Sequence, residues 1–357
     1  MVAKRTLIGT VLSLSLAGAL AGTAGGAADA SRAGTVRRVN LVSDQPGVAR
    51  MTDPHLVNAW GLSRGPNTPL WVSDNGADVS TLYQGATSGT PVSRVPLVVK
   101  VPGGAPTGQV FNGTSAFTVP GTGKPALFVF ASENGGISAW NQSVSPATSA
   151  VPVRHTRHAV YKGLALVHTR SGPRLLATNF HANRIDVFNA HFARLRHAGG
   201  FNDPALPRRY APFNVAVVHR HVFVTYARQD AAAHDDVAGP GHGFVDVYTN
   251  RGRFVRRFAS HGVLNSPWGM TIAPRSFGQF AGDLLVGNFG DGRIHAFDPR
   301  SGAMLGVLRG ARHRPLVIDG LWALLVGDRV AGGRDAIWFS AGPHDEQHGL
   351  LGILRAR

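Results

Sequence analysis

The sequence predicts an all-β fold, a six-bladed β-propeller of four-stranded antiparallel blades, on three observations. Strand-like apolar runs marked by Gly, Asn or Trp recur about every fifty residues, at Trp60, Gly113, Gly163, Asn214, Trp268 and Trp322. Each run is followed by a second strand that ends in a polar, Asx- or His-rich turn. No helix-length amphipathic pattern interrupts the series. Short strands with Gly/Asx turns repeated in this way fit a propeller, whereas a sandwich would not keep the period.

The elements follow in order. Residues 1–30 read as an export signal: Lys4 and Arg5 precede an apolar, small-residue stretch, and Ala28-Asp29-Ala30 offers a cleavage pattern. The apolar stretch is too short and too rich in Gly and Ala for a membrane span. Residues 31–357 are then one propeller domain, expected to be secreted to the extracellular space or periplasm. Segment 36–42 is a spare strand, expected to become the outer strand of the last blade and so close the ring, hiding two open edges. Unit one comprises 60–62, 70–74, an Asn75-Gly76 turn and 80–83. Unit two comprises 115–119, 127–131, an Asn134-Gly135 turn and 137–140. Unit three has 163–166, 175–179 and 184–188, and unit four has 213–218, 222–226, 244–248 and 254–258. Unit five is the best formed: 268–272, 283–288, an Asp291-Gly292 hairpin expected to hold positive φ at both central residues, 293–297 and 303–308. Unit six supplies 321–324, 336–340 and 350–354, one strand short.

Composition narrows the chemistry. With no cysteine, thiolate metal sites, cysteine nucleophiles and disulfides are excluded, and an exported chain must rely on its core. The formal charge is +16 and only four residues are lysine, so arginine dominates the basic surface. Such a surface suits anionic extracellular polymers. No basic run is interleaved with aromatics, which argues against nucleic acid.

The stretches Asn40 to Gly47, Asn58-Ala59-Trp60-Gly61-Leu62, Trp71 to Gly76, Val110 to Thr114, Tyr161 to Ala165, Tyr210 to Asn214, Tyr226 to Asp230, His234 to Gly239, Leu285 to Gly292, Asp319 to Trp322 and His344 to Gly349 resemble an uncharacterised family of exported bacterial proteins. Some of its members carry a PEP-CTERM sorting tail. The resemblance spans nearly the whole chain after residue 30 and implies a repeat similar to NHL and TolB-like six-bladed propellers, but no activity. Because this chain ends at Leu354-Arg355-Ala356-Arg357 without an apolar helix, release rather than anchoring is expected.

In a propeller, the loops entering the inner strands and those joining second to third strands share one face. Here that face is expected to carry Asp74, Asn112, Lys162, Asn214, Arg228, Asp230, His234, Asp235, Asp236, His344, Asp345 and Glu346 as ligand-facing groups. Glu133, Asn179, Asn288, Asp319 and His348 are candidate ligands for a divalent cation such as calcium, since hard cations take carboxylate and amide oxygens. Asp and Asn are also turn formers, which supplies a purely structural alternative. The longest loop, 227–243, and the 342–349 loop are where function is expected on a rigid scaffold. The latter's two histidines do not match the zinc-protease helix motif, and Gly61-Leu62-Ser63-Arg64-Gly65 lacks the strand-to-helix turn of a serine nucleophile.

Two readings follow. A monomeric binding scaffold for a polymer, cell surface or protein partner predicts shallow clefts and no charged group strongly perturbed by burial. A metal-dependent lactonase or esterase predicts that at least three of the five cation candidates converge.

Overall fold

The computed structural model describes residues 34–196 and 200–357, so the export signal read at 1–30 lies outside the described residues. Six blades surround a channel. Their inner strands are Ala59–Ser63, Pro106–Phe111, Tyr161–Thr169, Tyr210–Val218, Pro267–Ile272 and Leu321–Val326. Each contacts the next, and the sixth returns to the first, so the ring is closed. No helix among the described residues is long and apolar enough to cross a membrane.

The apolar residues of the second and third strands meet those of the neighbouring blade, which places one hydrophobic core at every blade junction. Trp71 and Leu82 of blade one pack with Phe128, Phe130 and Trp140 of blade two, Trp71 stacking on Phe128 at 4.2 Å. Leu285 and Ile294 of blade five pack with Leu321, Ile337 and Phe339 of blade six. Burying a side chain of this size stabilises by about 1.5–3 kcal/mol.

The closing strand forms as expected. Val36–Ser43 pairs antiparallel with Leu350–Ala356, making it the fourth strand of blade six, and Met51–Thr52 adds a short parallel fifth. Blade three is the weakest: its fourth strand is reduced, among the described residues, to a single bridge between Phe188 and Arg194.

Two expectations are corrected. The inner strand of blade two is Pro106–Phe111, not 115–119, and the repeat marker there is Thr107-Gly108 rather than Gly113. Pro106 weakens a strand pattern read from sequence, yet at the first position of a strand its missing N–H is tolerated. The Asx-Gly turns also differ. Asn75-Gly76 lies in a 3₁₀ turn whose exit, Asp78, takes the left-handed conformation, while at Asp291-Gly292 only the glycine has positive φ.

Candidate functional site

The site is built by a bulge repeated in all six blades. Pairing between inner and second strands skips between Ala59 and Leu62, Pro106 and Gln109, Tyr161 and Leu164, Pro212 and Asn214, Pro267 and Gly269, and Leu321 and Leu324. A bulge bends the strand and re-aims a side chain. The residues released are Trp60, Thr107, Lys162, Phe213, Trp268 and Trp322. Glycine follows four of them because neighbouring inner strands nearly touch: a Cβ on Gly61 would lie 2.3 Å from the Thr107 carbonyl, and one on Gly108 would lie 2.4 Å from the Leu164 amide nitrogen.

Trp60, Phe213, Trp268 and Trp322 come from four blades yet form one buried cluster with Phe180 and Phe289. Trp322 is sandwiched, 3.6 Å from Trp60 and 3.9 Å from Phe289, and Trp268 meets Trp60 and Trp322 edge-on. This plug fills the centre of the ring. Towards the far ends of the inner strands the channel opens into a cavity of about 520 Å³, walled by residues such as Leu62, Val110, Leu166, Val217 and Ile272.

Lys162 lies over the plug, its Nζ 5.2 Å from the Trp60 ring centre. The side chain is 2% exposed, and Nζ donates to Glu133 Oε1 at 2.5 Å and to Asp235 Oδ1 at 3.0 Å. Burial alone would lower its pKa, but the two carboxylates outweigh that and hold it above the ordinary lysine value. A chain of amides continues the network. Asn75 donates to Glu133 Oε2 at 3.1 Å, and Asn58 donates to Asn75 and, at 2.5 Å, to Glu346 Oε2. Trp322 Nε1 in turn donates to Asn58 Oδ1 at 2.9 Å, tying the circuit to the plug. Burial pushes the Glu346 carboxyl up to about 7 against the opposing Asn58 hydrogen bond and Lys162 charge.

The long loop of blade four delivers the exposed side of the network. Asp230 accepts the backbone N–H groups of His234 and Asp235, which presents Asp235 to Lys162 and places the His234 ring 3.0 Å from Asp235 Oδ1. Burial raises Asp235, but Lys162 outweighs it and the net pKa is lowered; the neighbouring Asp236 is raised by burial. Ligand atoms of Glu133, His234 and Asp235 lie within 4.8 Å of one another, the metal-compatible His/Asp/Glu group found among the described residues.

The other sequence candidates are committed elsewhere. Asn179 donates to Asp186 and accepts the Ala182 amide; Asn288 donates to the Val263 carbonyl and to Asp291; Asp319 accepts the His344 amide; and His348 pairs with Asp44 at 2.7 Å. Of the five proposed cation ligands, then, Glu133 alone belongs to the Lys162 network. Asn112 shapes its own turn through Thr114 and Ala126, and Asn214 bridges blades by donating to the Trp268 carbonyl at 2.7 Å. Arg228 contacts His242 at 3.4 Å. His344, Asp345 and Glu346 are three successive residues of positive φ, a backbone path that turns Glu346 inward.

Asp74 is fully buried, bonded to Thr81, and raised well above the carboxylate range by burial. Together with Glu346 it departs from the expectation that a binding face holds no group strongly perturbed by burial. Sequence reading missed Asn75 as a network member, taking it for a turn residue. It also missed that Lys162 stands in register with Trp60 and Trp268, a signal present in the parallel Trp60-Gly61, Lys162-Gly163 and Trp268-Gly269 pairs.

A scan against models of known protein families matches none. Among curated proteins, uncharacterized proteins of Acanthamoeba polyphaga mimivirus are similar, R648 and L690 among them. R648 is 34% identical over 304 residues, covering 82% of this chain and 74% of that protein, and L690 is 33% identical over 341 residues, covering 90% and 87%. These relatives lend no support to the bacterial origin or the sorting-tail kinship expected from sequence. Among solved structures, a streptogramin B lyase aligns with TM-score 0.50 at 10% identity, covering 90% of this chain and 97% of its own. A PQQ-bound aldose sugar dehydrogenase from Streptomyces coelicolor aligns with TM-score 0.50 at 12% identity, covering 91% and 98%. At such identities the likeness is one of fold alone. Closed ring and sequence kinship together place this chain, a six-bladed β-propeller, in one family with the mimivirus proteins R648 and L690.

Proposed function

We propose that the protein is a secreted binding propeller whose polar face, centred on Lys162, takes up a cationic group of a protein or polymer partner. The observation that carries this is the make-up of the centre: one ammonium set among Glu133, Asp235 and Glu346, above a channel filled by aromatic rings. The local excess is negative although the whole chain is basic. Charges more than about 8 Å away are largely screened at physiological salt, so the nearby carboxylates decide what the face attracts. A filled channel also leaves the face shallow, which suits a partner surface better than an enclosed reaction.

The test is titration with a short oligolysine peptide, read by tryptophan fluorescence because the indoles lie directly beneath Lys162. The reading expects saturable binding at about pH 8, where the Glu346 carboxyl is ionised, that weakens about tenfold when Asp235→Asn and Glu346→Gln remove these two carboxylates. Unchanged affinity in that variant would remove the support.

One observation favours a second reading, a cation-dependent hydrolase: the grouping of Glu133, His234 and Asp235. Lys162 already occupies two of those carboxylates, so a divalent ion would have to displace an ammonium. A zinc- or manganese-dependent rise in melting temperature, reversed by chelator and abolished by His234→Ala, would favour this reading over the first. Export rests on the 1–30 signal, and N-terminal sequencing of secreted protein, expected to begin at Ser31, tests it.

A further inference from the structure

We infer that the outer edge of the sixth blade carries a groove for a linear polyanion of the sulfated-glycan class. The closing strand Val36–Ser43 is bonded along one edge to Leu350–Ala356, but on its other edge, among the described residues, only Val42 and Ser43 pair, with Met51 and Thr52. The segment from Arg37 to Leu41 therefore presents a free margin. Beside it lies a cavity of about 380 Å³ with an apolar floor of Val39, Leu41, Ile353 and Ala86. Arg37, Arg50 and Arg355 line this cavity, and residues 87–90 of the first blade add hydroxyls. A shallower groove shares Arg37, Val39 and Arg50 with it and adds Arg38.

The positive charge of this margin is largely uncompensated. Arg37 and Arg50 are exposed and make no ion pair among the described residues. Arg38 donates to Asn40 and to the Val317 carbonyl and lies over Phe339, again without a carboxylate. Asp335, paired with Arg355 at 3.0 Å, is the one acidic residue among the described residues lining either groove. The Val36 amide bonds to the Arg309 carbonyl and Thr35 meets His313, which joins the groove to a further basic segment holding Arg309, Arg312 and Arg314.

Guanidinium forks match the planar or tetrahedral oxygens of carboxylate and sulfate. A row of them longer than a single pocket suits a chain of such groups rather than one ion. Among the described residues no aromatic ring lines either groove, so they offer none of the stacking by which single-stranded nucleic acid is held. This margin is distinct from the Lys162 face, and the inference does not depend on that reading.

The experiment is calorimetric titration of the 31–357 chain with heparin, a sulfated glycan, over a range of salt. The wild-type protein should bind with affinity falling as salt rises. Arg37→Ser/Arg50→Ser should weaken binding about tenfold and reduce the salt slope by roughly two. Arg170→Ser/Arg220→Ser removes the same charge from exposed turns of blades three and four and should leave binding unchanged. Matching melting curves establish that both variants fold. Absence of heparin binding, or equal loss in both variants, overturns the proposal. So does oligothymidine binding as tightly as heparin with the same Arg37/Arg50 dependence, which would assign the groove to nucleic acid.

Discussion

Lys162 is the residue on which the polar face turns, and its surroundings fix what its loss should do. Glu133 is 15% exposed and Asp235 64% exposed, so removing the ammonium strands one largely buried carboxylate and one that water can serve. Lys162→Met is expected to cost about 2–4 kcal/mol in denaturant unfolding, with Lys162→Met/Glu133→Gln recovering much of it because no buried charge is then unpaired. Glu346 makes a separate prediction. Its carboxyl is raised from 4.5 to about 7 by burial, so the folded state binds more protons than the unfolded between those values. Its favourable contribution is full below pH 4.5 and is lost as pH rises through 7. Glu346→Gln should flatten that limb by roughly 1–3 kcal/mol, the lower end being expected for a partly exposed group. His295 acts in the opposite sense. Burial pushes it from 6.5 down to about 4, so stability is intact above pH 6.5 and declines as pH falls towards 4. His295→Phe should remove that acid-side decline in a pH series of melting curves.

At the scale of the element, the inner strands do two jobs: they close the ring and they aim the bulge residues. Both depend on backbones approaching closely. Gly108→Ala would put a methyl carbon 2.4 Å from the Leu164 backbone, which rotamer adjustment cannot relieve. The strand must shift instead, at about 2–4 kcal/mol, and tryptophan emission should change as the plug loosens. The closing strand is the other sensitive element. Val36, Leu41 and Val42 are buried, and without them Leu350–Ala356 becomes an open edge. A chain begun at Asp44 should be less stable and associate through that edge, as sedimentation would detect. Of these elements the second strands were the most legible, since 70–74, 127–131 and 336–340 are dense in apolar and aromatic residues. The inner strand of blade two was not, because Pro106 and Gly108 disguise it.

The whole molecule is electrostatically two-sided. Carboxylates gather around Lys162 on the loop face, while Arg37, Arg38 and Arg50, which have no carboxylate partner among the described residues, stand along the margin of blade six. A formal charge of +16 repels itself in the compact state. Raising salt from low to moderate strength should therefore raise the melting temperature by a few degrees, since exposed arginines are screened while the buried Lys162–Glu133 pair is affected little. The junction cores are local to pairs of blades, whereas the plug draws side chains from five of the six, Phe180 being the contribution of blade three.

From the chain of residues alone came the fold, the repeat and the ring-closing strand, because strand period and turn chemistry are local properties written into neighbouring residues. The tertiary structure alone decided that Trp60, Phe213, Trp268 and Trp322 meet, that Lys162 takes the centre, and that Asn179, Asn288, Asp319 and His348 are tied up elsewhere. The aromatic plug and the central place of Lys162 depend on where a bulge turns one side chain per blade. Such a choice is set by contact between segments some fifty or more residues apart, and no local pattern records it.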